Sequence, residues 1–108
     1  MKLEQQIEYI SVYTDDQAIE DGILRDISSF GVEFQGQPVN RITSNLYNQL
    51  AEFFVSKDVE GQVIEFKSTL ETKLGFAYYK GDIWQVPPGL WLMENELEGW
   101  TLMLPEDY

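Results

Sequence analysis

The chain contains neither cysteine nor histidine, so its fold has to rest on an apolar core. No disulfide can cross-link it, and it has no thiolate or imidazole for a structural zinc ion. Of its 108 residues, 44% are hydrophobic and 14% are aromatic. Each buried aromatic side chain removes about 150–250 Å² from water, which favours a packed core over a disordered acidic chain. The sequence therefore predicts one folded domain over residues 1–108.

The charge of the chain limits the partners that it can bind. Nineteen acidic residues stand against seven basic ones, for a formal net charge of −12. DNA, RNA and anionic lipid carry the same sign of charge and are repelled, whereas basic protein surfaces are attracted. The seven basic residues form no cluster, which excludes a nucleic-acid-binding stripe. Acidity that only keeps the chain soluble is the simplest alternative.

The N-terminal half mixes strand and helix patterns. Residues Ile7–Tyr13 are rich in β-branched and aromatic side chains and predict a strand. Thr14 is a helix N-cap with Asp15 and Asp16 in the first turn, and Gly22 is suited to the left-handed position after the helix.

Three more elements complete that half. A short strand is expected at Ile23–Ile27, followed by a loop through Ser28–Pro38 with glycine and proline punctuation. A stronger helix is expected from Thr43 to about Val55, because apolar residues recur at helical spacing. These residues are Leu46, Leu50, Phe53 and Phe54.

The C-terminal half changes to a β pattern after Gly75. Gln62–Leu74 fits either a strand or a helix ending at Gly75, and its thirteen residues favour the helix because strands are usually shorter. Four strands are expected beyond it, with turns at Lys80-Gly81 and Asn95–Gly99: Phe76–Tyr79, Asp82–Val86, Leu90–Glu94 and Trp100–Leu104. The sequence thus predicts an α+β domain, a small antiparallel sheet packed by two or three helices around a single core.

Carboxylates are the only abundant group that could do chemistry. Glu94, Glu96 and Glu98 alternate and would share one face of a strand, with Asp82 and Glu106 nearby if the two hairpins pair. A carboxylate pair is a conceivable acid–base site, but such acids are far more often solvated residues around a turn. The chain has no histidine for a classical triad, no Walker A loop and no GxGxxG motif. We expect no catalytic residue.

Four acids in seven residues raise the alternative of a divalent cation site. They are Asp15, Asp16, Glu20 and Asp21, and their oxygens suit Ca²⁺ or Mg²⁺. The EF-hand spacing is absent, and the helix dipole already explains the first two acids. We expect no metal and no cofactor.

Two segments carry a family resemblance. Tyr13 to Asp26 reads YT-x-x-QA-x-x-DG-x-x-x-D, and Trp100 to Asp107 reads WTLMLPED. Together they resemble a family of small uncharacterised proteins encoded by bacteria, plasmids and phages. The resemblance implies an association with mobile elements and carries no catalytic residues.

Size, charge and this resemblance predict a binding protein rather than an enzyme. The expected function is inhibition of a host nucleic-acid-handling defence enzyme by nucleic-acid mimicry, in which acids occupy a basic channel. The acidic candidates are Asp15, Asp16, Glu20, Asp21, Glu94, Glu96, Glu98, Glu106 and Asp107. The alternative is an accessory interaction domain that uses Trp91 and Trp100 of the C-terminal hairpin as interface anchors. No apolar run suits a signal peptide or a bilayer span, so a cytoplasmic location is expected.

Overall fold

A computed structural model describes residues 14–81 and 83–108 of the protein. The strand predicted at Ile7–Tyr13 lies outside the described residues, as does Asp82. The described helices are α1 (Asp15–Glu20), α2 (Ser44–Ala51) and α3 (Val59–Leu74), with 3₁₀ turns at Ser28–Phe30 and Pro105–Asp107. The described strands are β1 (Leu24–Asp26), β2 (Glu33–Phe34), β3 (Gln37–Thr43), β4 (Tyr78–Lys80), β5 (Ile83–Val86), β6 (Leu90–Glu94) and β7 (Trp100–Met103).

The strands form one sheet in the order β1-β3-β7-β6-β5-β4, and β2 also pairs with β3. The α+β class with a single core is confirmed, but the expectation of a purely antiparallel sheet is wrong. Strands β3 and β7 are parallel, with Val39 opposite Trp100 and Ile42 opposite Leu102. Parallel neighbours require a long crossover, and α2 and α3 lie in the segment between these two strands.

The core lies between the sheet and the pair α2 and α3. Val39, Ile42 and Leu102 of the two central strands are fully buried and belong to one cluster with Leu46 of α2 and Phe66 of α3. Three other rings surround that phenylalanine at centroid distances of 5.1–5.8 Å. Aromatic side chains thus supply much of the apolar area that a chain without cysteine needs.

Helix α3 confirms the helical interpretation of residues 62–74. Phe66, Leu70 and Leu74 are its buried residues, and their spacing of four places them on one stripe. The helix begins earlier than expected because the Asp58 carboxylate caps it, accepting the Gly61 amide at 3.1 Å.

Strand β3 was missed by the sequence pattern, which predicted a loop through Pro38 and a helix from Thr43. The register against β7 shifts between Val39 and Arg41, so a bulge falls at Asn40. The bulge breaks the two-residue alternation that identifies a strand, and Val39 and Asn40 are therefore both buried. Proline is tolerated near the strand start, where Pro38 pairs only with the two-residue strand β2.

Helix ends follow the predicted capping in part. Thr14 Oγ1 accepts the Gln17 amide at 3.2 Å, and Gly22 takes a left-handed φ of 77°, as expected. Helix α2 ends at Ala51 rather than near Val55. Gly75 closes α3 as expected, but with a right-handed φ of −62° rather than the left-handed conformation common for glycine after a helix.

The β pattern of the C-terminal half is confirmed. Strands β4 and β5 pair as an antiparallel hairpin, and so do β6 and β7 around residues 95–99. None of the helices in residues 14–81 and 83–108 is both long and apolar enough to cross a membrane.

Candidate binding surface

Acidic side chains are concentrated in two parts of the described chain, residues 14–22 and residues 83–108. These parts hold nine acidic residues and no lysine or arginine, whereas residues 52–81 hold five acidic residues and four lysines. The nine are the acidic candidates predicted from the sequence. Seven of them are exposed and are termed the acidic surface from here on: Asp16, Glu20, Asp21, Glu94, Glu96, Glu98 and Glu106.

Asp15 is held inside the fold and does not belong to the acidic surface. Its carboxylate accepts hydrogen bonds from Arg41 Nε at 2.7 Å and from Nη2 at 2.8 Å. This hydrogen bonding raises the pKa of the Arg41 guanidinium. Arg41 also lies 3.0 Å from Asp26, whose pKa is lowered first by hydrogen bonds from Ser28 and then by Arg41. Asp15 therefore joins α1 to the sheet.

Asp107 is also used within the fold. It accepts hydrogen bonds from Thr43 Oγ1 at 2.6 Å, from Asn45 Nδ2 at 2.8 Å and from the Leu104 amide at 3.3 Å. The carboxylate thereby fixes the C-terminal 3₁₀ turn against the first turn of α2, where a negative charge is favourable.

A cleft of about 430 Å³ lies between the end of α1 and the C-terminal turn. It is lined by Gly22, Ile23, Thr43, Ser44, Asn45, Glu106 and Asp107. A second cleft of about 460 Å³ shares Gly22 and Ser44 with the first and extends it along β1. Gly22, which follows the C-cap residue Asp21 of α1, lines the first cleft together with Glu106, so the end of α1 lies near the C-terminal turn.

The turn between β6 and β7 displays Glu96 and Glu98, while Glu94 is the last residue of β6. The expectation that all three share one strand face is wrong because Asn95 ends the strand. Asn95 Oδ1 accepts the amides of Leu97 at 2.9 Å and of Gly99 at 3.2 Å. An asparagine that binds its own following backbone is a usual turn former.

The same asparagine anchors the turn in the interior. Its Nδ2 donates to Asn40 Oδ1 at 2.8 Å and to Thr101 Oγ1 at 3.1 Å, and both of these partner residues are buried. The glutamates of the turn are therefore displayed on a fixed backbone. Sequence reasoning recognised the turn but not the asparagine that fixes it.

The C-terminal acids do not gather at one place. Strands β6 and β7 pair with Glu94 opposite Trp100 and Trp91 opposite Met103. The turn and Glu106 therefore lie beyond opposite ends of β7, whose four residues span roughly 13 Å at about 3.3 Å per residue. The expectation that Glu106 lies near Glu94, Glu96 and Glu98 is wrong, because pairing of the hairpin separates them.

The two tryptophans predicted as interface anchors differ in position. Trp100 is 6% exposed and belongs to the core, so the expectation that it presents a surface ring is wrong. Its Nε1 donates to the Phe34 carbonyl at 2.9 Å, and the Phe34 ring packs edge-on against it at 5.4 Å. Trp91 is half-buried, with its ring 6.0 Å from that of Tyr108.

The described residues form no group of three or more acidic, histidine or cysteine side chains that could hold a metal ion. Hydrogen bonds from Ser56, together with the Val55 amide, lower the pKa of Glu65, and Ser28 lowers that of Asp26. A carboxyl group that acts as a general acid needs a raised pKa, whereas the pKa values of Glu65 and Asp26 are lowered.

Comparison of the chain with known protein families, curated proteins and solved structures finds no match. The resemblance carried by residues 13–26 and 100–107 therefore stays a prediction from those residues alone.

Proposed function

We propose that the protein is a non-enzymatic binding protein whose acidic surface docks on a basic surface of a protein partner. The observation that carries the proposal is the separation of charge in the described residues. The acidic surface comes from chain segments without any basic residue, whereas lysines accompany the acids of residues 52–81. A field of one sign speeds the encounter with an oppositely charged partner.

The internal hydrogen bonds of the acidic segments support this role. Asp15 bound to Arg41, Asp107 bound to Thr43, and Asn95 bound to Asn40 each fix a segment that displays exposed carboxylates. Charges held on a fixed backbone lose little conformational entropy on binding, which favours affinity.

We further propose that the partner's surface is a nucleic-acid channel. The chain extends 42 Å along its longest axis, and a duplex of that length carries about 25 phosphate charges, roughly half of them on one side. The seven exposed acids lie in two groups towards opposite ends of β7, and together they number somewhat more than half of the phosphates of one duplex side. The acidic surface is thus suited to cover part of a channel.

In this proposal the chain is an inhibitor from a mobile element or phage, acting in the host cytoplasm on a nucleic-acid-handling defence enzyme. Two considerations support it: the resemblance described above, and the absence of cysteine from the sequence, which suits a reducing compartment.

The test uses two charge-neutralised variants and one matched control. The first variant replaces Asp16, Glu20 and Asp21 by their amides, and the second replaces Glu94, Glu96 and Glu98 by glutamine. The control replaces Glu52, Glu60 and Glu71, three exposed acids among the lysines, by glutamine. Each immobilised protein is exposed to bacterial lysate at increasing salt, and the captured proteins are identified by mass spectrometry.

We expect the original chain and the control to capture the same nucleic-acid-binding protein, with capture lost as salt rises and competed by duplex DNA. Neutralising either acidic segment should weaken capture at least tenfold. A partner that binds equally at high salt, or that all four proteins retain equally, would contradict the proposal.

A further inference from the structure

Among the described residues the sheet ends at β4, whose charge differs from that of the acidic surface. Residues 72–81 contain Lys73 and Lys80 and no acidic residue. Three aromatic side chains in this segment are open to solvent: Phe76 is 70% exposed, Tyr78 is 50% exposed and Tyr79 is 59% exposed. This segment, termed the β4 edge, is a basic and aromatic surface on an acidic molecule.

The opposite outer strand of the described sheet is β1, against which α1 packs. The Ser44 amide donates to the Ile23 carbonyl at 2.9 Å, which continues the pairing of β3 with β1. The Arg25 guanidinium of β1 lies 4.3 Å from the centre of the Tyr47 ring of α2. Strand β4, by contrast, pairs with β5 on one side and is the last strand in the described sheet order. An outer strand with exposed aromatic side chains is a template for the addition of another strand.

We infer that the β4 edge binds a second copy of this chain, by antiparallel pairing of β4 with its counterpart. The sequence Tyr78-Tyr79-Lys80 is self-complementary in this arrangement. With Tyr79 opposite its own counterpart, Tyr78 of each copy lies opposite Lys80 of the other. The two copies of Tyr79 then form an aromatic pair, and each Lys80 lies opposite a Tyr78. Both kinds of cross-strand pair are favourable, and no two lysines lie directly opposite one another.

The distribution of charge favours this occupant. Two chains that each carry a net charge of −12 repel one another wherever their acidic surfaces meet. Between Glu71 and Asp82, the β4 edge carries two lysines and no acid, so contact between two copies is least repulsive there. The β4 edge also lies at the side of the sheet opposite β1, where α1 packs, so pairing through β4 keeps the α1 acids of the two copies far apart.

The absence of cysteine makes a direct test possible. A single Tyr79→Cys substitution places the sole thiol of each chain at the dyad. Directly opposed residues in an antiparallel pair have Cα atoms about 4.5–5.5 Å apart, within the range that a disulfide spans. Val55→Cys is the matched control, since Val55 is 83% exposed but lies in the connection between α2 and α3.

We expect Tyr79→Cys to form a covalent dimer under mild oxidation and Val55→Cys to remain mainly monomeric. Light scattering of the original chain should show the mass rising from 12.6 kDa towards twice that value with concentration, and rising further when salt is added. Tyr79→Lys should abolish the increase because it opposes two lysines, while Phe53→Lys should retain it. Circular dichroism establishes that each variant is folded.

If light scattering gives the mass of a monomer up to millimolar concentration, the inference is wrong. It is wrong in that case even if a different protein is found to add a strand to the β4 edge. Equal cross-linking of the two cysteine variants would also overturn the inference. Added salt should strengthen pairing through β4 but weaken capture through the acidic surface, so the two proposals can fail independently.

Discussion

At the scale of single residues, buried polar side chains determine where the acids are displayed. Asn95 and Asn40 lie far apart in the chain but donate and accept in one network beneath the β6–β7 turn. Gly99 closes this turn against β3. A Cβ atom built on Gly99 would lie 2.5 Å from Asn40 Nδ2 and 2.5 Å from the Pro38 carbonyl oxygen. The position therefore requires glycine for reasons of space.

We expect Gly99→Ala to lower the free energy of unfolding by about 1–3 kcal/mol or more, because overpacking against backbone cannot relax easily. Gly75→Ala is the matched control, since Gly75 closes α3 with a right-handed φ of −62° and a Cβ atom there would come no closer than 3.3 Å to a neighbour, the Thr72 carbonyl oxygen. The Gly75→Ala substitution should change the free energy of unfolding by no more than about 0.5 kcal/mol. Urea denaturation followed by tryptophan fluorescence measures both values, and equal effects would contradict the steric argument.

At the scale of elements, Glu65 of α3 holds the connection that follows α2. Its carboxylate accepts the amides of Val55 at 3.0 Å and of Ser56 at 2.6 Å. Gln62 Nε2 donates to the Ser56 carbonyl at 3.1 Å. These hydrogen bonds fix the connection against α3. Apolar packing by Phe53 does not do so, because its side chain is 82% exposed.

Hydrogen bonds from Ser56 and Val55 lower the pKa of Glu65 from its ordinary value of 4.5. A lowered folded-state pKa means that the contribution to stability is complete above the unfolded-state value and is lost as pH falls through the folded-state value. We therefore expect Glu65→Gln to be less stable than the original chain at neutral pH. The difference should shrink as the pH falls below 4.5.

Thermal unfolding of both proteins across this range measures the effect. Glu71→Gln serves as the control, because Glu71 is an exposed acid of the same helix. A difference between Glu65→Gln and the original chain that does not change with pH would show that the carboxylate charge is not what holds the connection.

The elements that the sequence predicted are those whose signals are local. Capping at Thr14, the helix at residues 62–74 and the C-terminal hairpins depend on neighbouring residues, and the structure confirms them. Strand β3 was missed because a bulge at Asn40 breaks its alternation, and the bulge depends on the distant strand β7. Burial of Trp100 was missed for the same reason, since Phe34 that covers it lies 66 residues away.

The candidate site could be predicted only in part. Acidic residues could be identified from the sequence as potential contacts, but their grouping depends on tertiary structure. Asp15 and Asp107 became internal because Arg41 and Thr43, on β3, bind them. Glu106 is separated from the β6–β7 turn because the extended strand β7 lies between them. Periodicity contains no information on either outcome.

At the scale of the whole molecule, the separation of charge should be visible in the stability of the free protein. The acidic surface repels itself, and self-repulsion of this kind destabilises a compact state. Added salt shortens the screening length from about 10 Å at 0.1 M to about 3 Å at 1 M, which weakens the repulsion. In residues 52–81, five acids and four lysines nearly balance, so repulsion there is weaker and salt has less of it to screen.

We therefore expect sodium chloride to raise the Tm of the original chain by several degrees, since about 1 kcal/mol corresponds to 4–8 °C in a domain of this size. Replacing Glu94, Glu96 and Glu98 by glutamine should reduce this rise, because it removes repulsion that salt would otherwise screen. Replacing Glu52, Glu60 and Glu71 by glutamine removes as many charges but leaves the acidic surface intact, so the rise in Tm should persist.

Differential scanning calorimetry of the three proteins over a salt series measures how the Tm of each depends on salt. An equal loss of salt dependence in both variants would show that only the total charge matters, and that the grouping of acids on α1 and the C-terminal segment has no energetic consequence.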